Sequence, residues 1–322
     1  MKRLLPALFL LISIAGLSQY QWDYGLKIGG ANYLGDIGGK ELTRRDFVWD
    51  MHLRTTNIAI GGYGRYKFSK RFSVAANLDY MVIKDRDALT TNPPRRARNM
   101  NFRNRMFELG ARAEVTIWYD NDVSGQGYYN PDFKMYLFGG LAGFYHNPQG
   151  QIFKDGDLQY DGEWFDLRPW KTEGQEKEYS AIGLAIPAGL GLYFTFDKIW
   201  RVGWELSWRT TFTDYLDDIS TNYANIPASD GQRYEFVHQT YTGLIDEINA
   251  DNTDSEFYPL HINNFRYVEG FNTKRGDPTH NDSYLTMQLT IGKVIRGRSK
   301  FYRTKYSWLK NRSGVRRSRA KF

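Results

Sequence analysis

The chain has 322 residues, a formal net charge of +7, no cysteine and an aromatic fraction of 16%. The absence of cysteine excludes a disulfide framework, a lipid-modified cysteine and a thiolate metal site. Abundant Tyr and Phe, together with 31 glycines, favour antiparallel strands and turns over helices.

The first residues have the pattern of an export signal. Lys2 and Arg3 precede the apolar run 4–17, which is followed by the small residue Ser18. This run contains a proline and a glycine and is shorter than the roughly 20 apolar residues of a membrane helix. A cleaved signal peptide over 1–18 is therefore preferred to a signal anchor. Because no later apolar run has that length, a membrane location requires a closed barrel.

Alternation of apolar and polar side chains predicts eight strands within a unit spanning 19–296. Residues 200–212 (WRVGWELSWRTTF) show the pattern most clearly. This stretch alone fits either a soluble sandwich or a strand that faces lipid. The eight strands are expected at about 22–34, 57–67, 72–84, 103–119, 133–145, 180–196, 200–212 and 283–295.

Short and long connections alternate between these strands. The short ones lie at about 68–71, 120–132 and 197–198, and the long ones at about 35–56, 85–102, 146–179 and 214–282. Outer-membrane barrels have short periplasmic turns and long external loops, whereas a soluble sandwich has no reason to sort its loops by length. We therefore predict an all-β, up-and-down antiparallel transmembrane β-barrel of about eight strands in the outer membrane, with both termini periplasmic.

Several charged side chains fall on the strand faces that are predicted to point into the barrel. An eight-stranded barrel has room only for side chains, and an unpaired buried charge is costly. We therefore expect these residues to form a network of ion pairs and the barrel to be closed rather than an open pore. The residues are Lys27, Arg65, Asp79, Glu108, Arg112, Glu114, Glu205 and Arg209.

The chain has no recognised catalytic motif. Its five histidines all fall in long connections, where they are expected to be solvated, and no HExxH, GxSxG or P-loop sequence occurs. No catalytic residue and no cofactor are predicted. Asp214, Asp217 and Asp218 offer carboxylates for a hard cation such as calcium. They lack the spacing of a known calcium loop, and turn or capping chemistry is the alternative.

The last residues, 297–322, form a basic tail. Residues 296–322 contain 11 Lys and Arg and no acid, interleaved with aromatic residues. Arginine and aromatic residues are enriched at protein interfaces; docking on anionic lipid headgroups is the alternative. Nucleic acid is excluded as a partner, because an exported protein does not meet it in the periplasm. The predicted partner-binding residues are Arg303, Tyr306, Trp308, Arg312, Arg316 and Arg317.

Three stretches resemble a known family: WDYGLKIGGANYLGDIGGK, GGYGRYKFSKRFSVAANLDY and TDYLDDISTNY. They are similar to the PorG family of Bacteroidetes, outer-membrane barrels of the type IX protein secretion system that also serve gliding motility in some members. The resemblance covers about 20–295; the long loop after Tyr223 and the tail after Arg296 match no motif.

The resemblance implies a non-enzymatic barrel that anchors or organises the secretion machinery. It implies partners in a periplasmic ring, a PorK-like lipoprotein and a PorN-like protein. Outer-membrane lipid and lipopolysaccharide are also expected to contact a barrel in this membrane. It supplies no catalytic residues. An outer-membrane enzyme that modifies lipid or protein, or a surface adhesin, remains the alternative.

Overall fold

The computed structural model describes residues 22–39, 53–120, 132–154, 156–197, 199–251, 253–254, 258–261 and 273–295. The predicted signal peptide and the basic tail lie outside these residues. Within them, eight long strands form the barrel wall. The strands are β1 (Trp22–Leu34), β2 (Asn57–Lys67), β3 (Phe72–Arg86), β4 (Asn101–Asp120), β5 (Asp132–Tyr145), β6 (Ile182–Phe196), β7 (Trp200–Thr211) and β8 (Ser283–Ile295).

The strands close into a ring. Each strand pairs antiparallel with the next along the chain, and β8 pairs with β1, so that Trp22 lies opposite Ile295 and Leu34 opposite Ser283. Closure gives each of these eight strands a partner on both sides. The predicted all-β, up-and-down antiparallel barrel is confirmed, and the strand ends differ from the predicted ones by two residues or fewer.

The outward side chains of the wall form an apolar belt. Large apolar residues on this face are strongly exposed, as with Leu26 at 68%, Leu109 at 66% and Leu141 at 70%. On β7 the outward Trp200 and Val202 are likewise exposed. The barrel therefore presents to its surroundings the apolar face that a lipid bilayer stabilises.

Exposed aromatic side chains collect where the strands meet the short connections. At this end, called the short-turn end below, the Trp22 ring lies 4.7 Å from the Tyr66 ring, and Trp118 and Trp200 are exposed. Such girdles mark the interface between the hydrocarbon core of a membrane and water.

The long connections are folded rather than irregular. Their described residues include the helices α1 (Pro93–Arg98), α2 (Gln232–Val237) and α3 (Thr242–Asp251) and five single-turn 3-10 helices, at Leu53–Thr55, Asp87–Leu89, Tyr160–Gly162, Arg168–Trp170 and Ala228–Asp230. Four short strands lie at Pro148–Gly150, Phe153–Lys154, Asp157–Leu158 and Phe165–Asp166. None of the helices in the described residues is long and apolar enough to cross a membrane.

We call the described residues of the long connections the cap: 35–39, 53–56, 87–100, 146–154, 156–181, 212–251, 253–254, 258–261 and 273–282. Two of the short strands extend the barrel wall into it, because Pro148–Gly150 pairs with β4 and Phe165–Asp166 pairs with Pro148–Gly150. Apolar cap residues such as Leu216 and Phe236 share one core with the strand residues Met81 and Phe144. The cap is thus packed onto the long-loop end of the barrel.

Candidate functional site

The barrel interior contains a connected set of ion pairs. Near the middle of the wall, Lys27 Nζ lies 2.7 Å from Asp79 Oδ2, and Arg209 Nε lies 2.8 Å from Glu108 Oε2. The hydroxyl of Tyr284 also donates to Glu108. All of these side chains are buried, so their charges are stabilised by one another rather than by water.

A second group of ion pairs lies closer to the short-turn end. Arg112 Nη1 is 3.0 Å from Glu205 Oε2, and Arg112 Nε is 3.1 Å from Glu114 Oε1. Glu114 also accepts from Arg65, whose Nε is 2.6 Å away, and Arg65 Nη2 donates to the Tyr136 hydroxyl at 3.0 Å. The structure thereby brings all eight sequence-predicted interior charges inside the barrel, each with at least one partner of opposite charge.

Four further interior residues were not singled out from the sequence. Asp23 contacts Arg201 and lies 3.4 Å from Arg65. Lys67 is buried, and Lys134 is half-buried opposite Tyr193. Every second residue of a strand points to the same face, so Asp23 shares the inward face of Lys27, and Lys67 shares that of Arg65. The sequence alone could therefore have predicted that Asp23 and Lys67 point inward. Lys134 lies in a stretch that is apolar on both faces, where alternation does not fix the inward side.

Aromatic rings fill the space between these charges. The Arg112 guanidinium carbon lies 4.2 Å from the centre of the Phe138 ring, and that of Arg65 lies 4.9 Å from the Tyr136 ring. Contacts of this kind stabilise cations that have left water. The interior is therefore a packed layer of paired charges and aromatic rings.

The cap has its own buried ion pairs. Arg98 Nε lies 2.8 Å from Asp87 Oδ2, and two other nitrogens of the same guanidinium donate to the carbonyls of Asp36 and Arg275. Arg275 in turn lies 3.1 Å from Glu173 and 3.3 Å from Asp218. These contacts join cap segments that are distant in sequence.

The three calcium candidates lie in this cap. Asp217 accepts from the backbone N–H groups of Ile37 and Ile219 at 3.0 and 2.9 Å, and Asp218 accepts from the Tyr179 hydroxyl at 2.7 Å. Within the described residues, no group of three or more His, Asp or Glu side chains is arranged to hold a metal ion. Asp217 and Asp218 therefore take part in the hydrogen bonding of the cap.

Burial changes the protonation of these aspartates. It raises the pKa of Asp214 to about 8, a shift to which the nearby carboxylates of Asp36 and Asp217 also contribute. Burial likewise raises the pKa of Asp217 to about 7 and that of Asp218 to about 6, although Arg275 opposes the shift at Asp218. The cap therefore contains carboxyl groups that titrate near neutral pH.

His146 differs from the solvated loop histidine that was expected. It is buried, its ring stacks 6.2 Å from the Tyr179 ring, and its Nε2 lies 3.0 Å from the Ser180 carbonyl oxygen. Burial lowers the pKa of His146 to about 4. The expectation was wrong because the connection that follows β5 folds into the cap core.

The predicted partner-binding residues of the tail, Arg303, Tyr306, Trp308, Arg312, Arg316 and Arg317, lie outside the described residues.

Comparison with solved structures finds bacterial proteins of low sequence identity. The attachment invasion locus protein Ail of Yersinia pestis, in complex with the heparin analogue sucrose octasulfate, is 9% identical with a TM-score of 0.35, covering 85% of this chain and 99% of Ail. The N-terminal β-barrel domain of Pseudomonas aeruginosa OprF is 9% identical with a TM-score of 0.31, covering 86% of this chain and 99% of that domain.

No curated protein sequence matches the chain. A family model, described as a domain of unknown function (DUF6089), matches residues 2–228. The match spans well over half of the sequence, and the chain therefore belongs to the DUF6089 family.

Proposed function

We propose that the protein is a non-enzymatic outer-membrane β-barrel that anchors or organises a type IX protein secretion machinery. The observation that carries the proposal is the interior of the barrel, which is occupied by paired charges and aromatic rings. An interior of this kind supports a structural role over a conducting one, because moving a solute through it would separate buried ion pairs at high cost.

The proposed location rests on the outer surface of the barrel. Its apolar belt and aromatic girdle fit a membrane, and the export signal predicted over 1–18 would deliver the chain beyond the inner membrane. Trp22 and Ile295 lie opposite each other at the short-turn end. The end where β1 begins and β8 ends faces the periplasm in outer-membrane barrels, which supports a periplasmic location for both chain ends.

The proposed partners are the ring proteins implied by the PorG resemblance, a PorK-like lipoprotein and a PorN-like protein. β8 ends with Ile295 at the short-turn end, and the basic tail 297–322 begins two residues later in the sequence. Its arginines would steer it towards an acidic face of the ring, and Tyr306 and Trp308 would anchor it there.

Co-purification tests this proposal. An affinity-tagged barrel is isolated in mild detergent from cells that express the ring proteins, and the eluate is compared with that from a chain lacking 297–322. A matched control keeps the tail at full length but replaces Tyr306 and Trp308 with serine, which removes the anchors and retains the charge.

We expect both changed chains to fold into the membrane, to lose the ring proteins and to secrete poorly. A barrel that folds and never co-purifies with a ring protein, even with its tail intact, would contradict the assignment. If the truncated chain retains the partners and secretion, the tail is not the contact.

A further inference from the structure

The interior of the barrel has more positive than negative groups at its short-turn end. Five interior acids each form an ion pair with a different cation: Asp79 with Lys27, Glu114 with Arg65, Glu205 with Arg112, Asp23 with Arg201 and Glu108 with Arg209. Two inward lysines remain, Lys67 and Lys134. Among the described residues, neither forms an ion pair with an acid.

The two lysines lie beside the same aromatic ring. Lys67 is the last residue of β2 and is only 6% exposed, and its Nζ lies 5.3 Å from the centre of the Tyr193 ring. Lys134 lies directly opposite Tyr193 in the pairing of β5 with β6. Two ammonium groups have only donors to offer each other, so a shared acceptor would stabilise both.

The surroundings of Lys67 are also positive. One aromatic ring, that of Tyr193, is approached by three cations: Lys67 Nζ at 5.3 Å, the Arg65 guanidinium at 5.2 Å and the Arg201 guanidinium at 4.6 Å from the ring centre. The acid Asp132 is the first residue of β5 and lies two residues before Lys134, on the same face of that strand. Burial weakens the screening of these like charges by water.

We propose that Lys67 and Lys134 bind a single oxyanion, a phosphate or a carboxylate group, in the short-turn mouth of the barrel. The anion would accept hydrogen bonds from both ammonium groups and supply the negative charge that the interior lacks. Tyr193 would form the floor of the site. Lys134 is half-buried at the mouth, which gives an anion access from water on that side.

The source of the anion is aqueous rather than a bilayer lipid. Lys67, Lys134 and Tyr193 all point to the inside of the strand ring, and the wall separates them from the lipid-facing belt. A free phosphate ion and a carboxylate presented by another molecule have the same chemistry here. The inference does not depend on the type IX assignment; if that assignment holds, the site faces the periplasm.

Calorimetric titration of the full-length protein, folded in detergent, tests the site. The probes are inorganic phosphate and N-acetyl-aspartate amide, each compared with chloride at the same ionic strength. The variants Lys67→Met and Lys134→Met remove one ammonium group each. Lys70→Met is the matched control, because Lys70 is an exposed lysine in the turn at the same end.

We expect saturable binding of at least one of the two probes, weakened by about tenfold or more in Lys67→Met and in Lys134→Met and unchanged in Lys70→Met. Binding of phosphate alone would assign the site to a free ion, and binding of the aspartate derivative alone to a presented carboxylate. We also expect Lys67→Met to unfold at a higher temperature than the unmodified protein without anion, because it removes a like-charge contact.

The proposal is overturned if neither probe binds more tightly than chloride, or if Lys67→Met and Lys134→Met bind both probes as the unmodified protein does. Should Lys67→Met fail to fold, Lys134→Met decides, because its side chain is partly exposed and its replacement disturbs less packing.

Discussion

Arg112 and Glu205 form a two-pronged ion pair across the barrel interior, from β4 to β7. Both terminal nitrogens of the guanidinium contact the carboxylate, with Arg112 Nη1 3.0 Å from Glu205 Oε2. The Tyr136 hydroxyl donates to the same carboxylate. Two parallel hydrogen bonds between an Arg and a carboxylate fix the relative orientation of the two groups. The pair therefore ties together β4 and β7, which are not neighbours in the wall.

Removing one partner of this pair is expected to destabilise the barrel. Glu205→Gln leaves the Arg112 guanidinium buried without its main counter-charge, and breaking a buried pair in this way costs about 3–5 kcal/mol. Urea unfolding in detergent micelles or liposomes measures the change in free energy. Glu176→Gln, at an exposed cap residue, is the control and should have little effect. Equal stability of the two variants would show that the pair is dispensable.

The outward face of β7 provides a depth-dependent test of the membrane belt. Leu206 lies mid-strand opposite Met287 and Leu190, where an Arg is expected to cost about 2–4 kcal/mol. Trp200 lies at the short-turn end of the same strand, and an Arg there should cost only about 0–1 kcal/mol. The fraction of folded, heat-modifiable barrel on gels compares Leu206→Arg with Trp200→Arg. Similar losses for both would contradict a lipid-facing belt.

The cap is expected to become more stable as the pH falls towards neutrality. The pKa of Asp214 is about 8 and that of Asp217 about 7 in the folded cap, against about 3.9 in an unfolded chain. Because the folded state binds the extra protons, the stabilisation is complete below the unfolded pKa and is lost as the pH rises through the folded values. The pKa of His146 is lowered in the folded cap. Protonation of this residue therefore destabilises the cap as the pH falls, but only below about pH 6.5, the pKa of an unperturbed histidine.

Hydrogen exchange of cap amides between about pH 6.5 and pH 8.5 measures this effect, after correction for the intrinsic exchange rate. Each titrating carboxyl changes the opening equilibrium by up to about tenfold per pH unit. Asp214→Asn removes one such group and should flatten the dependence, while Asp230→Asn, at an exposed cap residue, should not. A cap whose protection is the same throughout this range would refute the expectation.

The orientation of the barrel is tested with single cysteines, because the natural chain has none. Ala250 is exposed on α3 in the cap, and Lys70 is exposed in a short turn at the opposite end. An impermeant maleimide added to intact cells should label Ala250→Cys and leave Lys70→Cys unlabelled until the outer membrane is opened. The reverse pattern would place the cap in the periplasm.

The barrel wall was predictable because its signal is local. Alternation with period two is imposed by the pleat of a strand, so one residue such as Arg65 places its whole strand with respect to inside and outside. The limit of this reasoning is visible in β5, where Leu137 and Leu141 face outward and Phe138 and Phe144 face inward. Because both faces of β5 are apolar, the alternation does not show which face points into the barrel. Lys134 was therefore not predicted to be an interior residue.

The cap was not predictable, because its contacts join segments that are far apart in sequence. The Tyr33 hydroxyl donates to Asp282 Oδ1 at 2.6 Å, and the Ile37 N–H donates to Asp217 across the same end of the barrel. No local pattern in the long connections indicates such pairings. Bringing distant segments together costs chain entropy, and the pairings form because the folded barrel holds these segments close to one another. For the same reason, the burial of His146 had no signature in the sequence.

The pairing of β1 with β8 makes the last strand the closing element of the whole wall. Residues 212–282 lie between β7 and β8, so the largest part of the cap must be in place on its side of the membrane before the ring can close. Until Ser283–Ile295 pairs, both β1 and β7 present an open edge with unpaired backbone groups. A chain that ends before Ser283 would thus expose two edges at once, which join readily to other chains. Closure of the wall therefore depends on β8, which is the pairing partner of both β1 and β7.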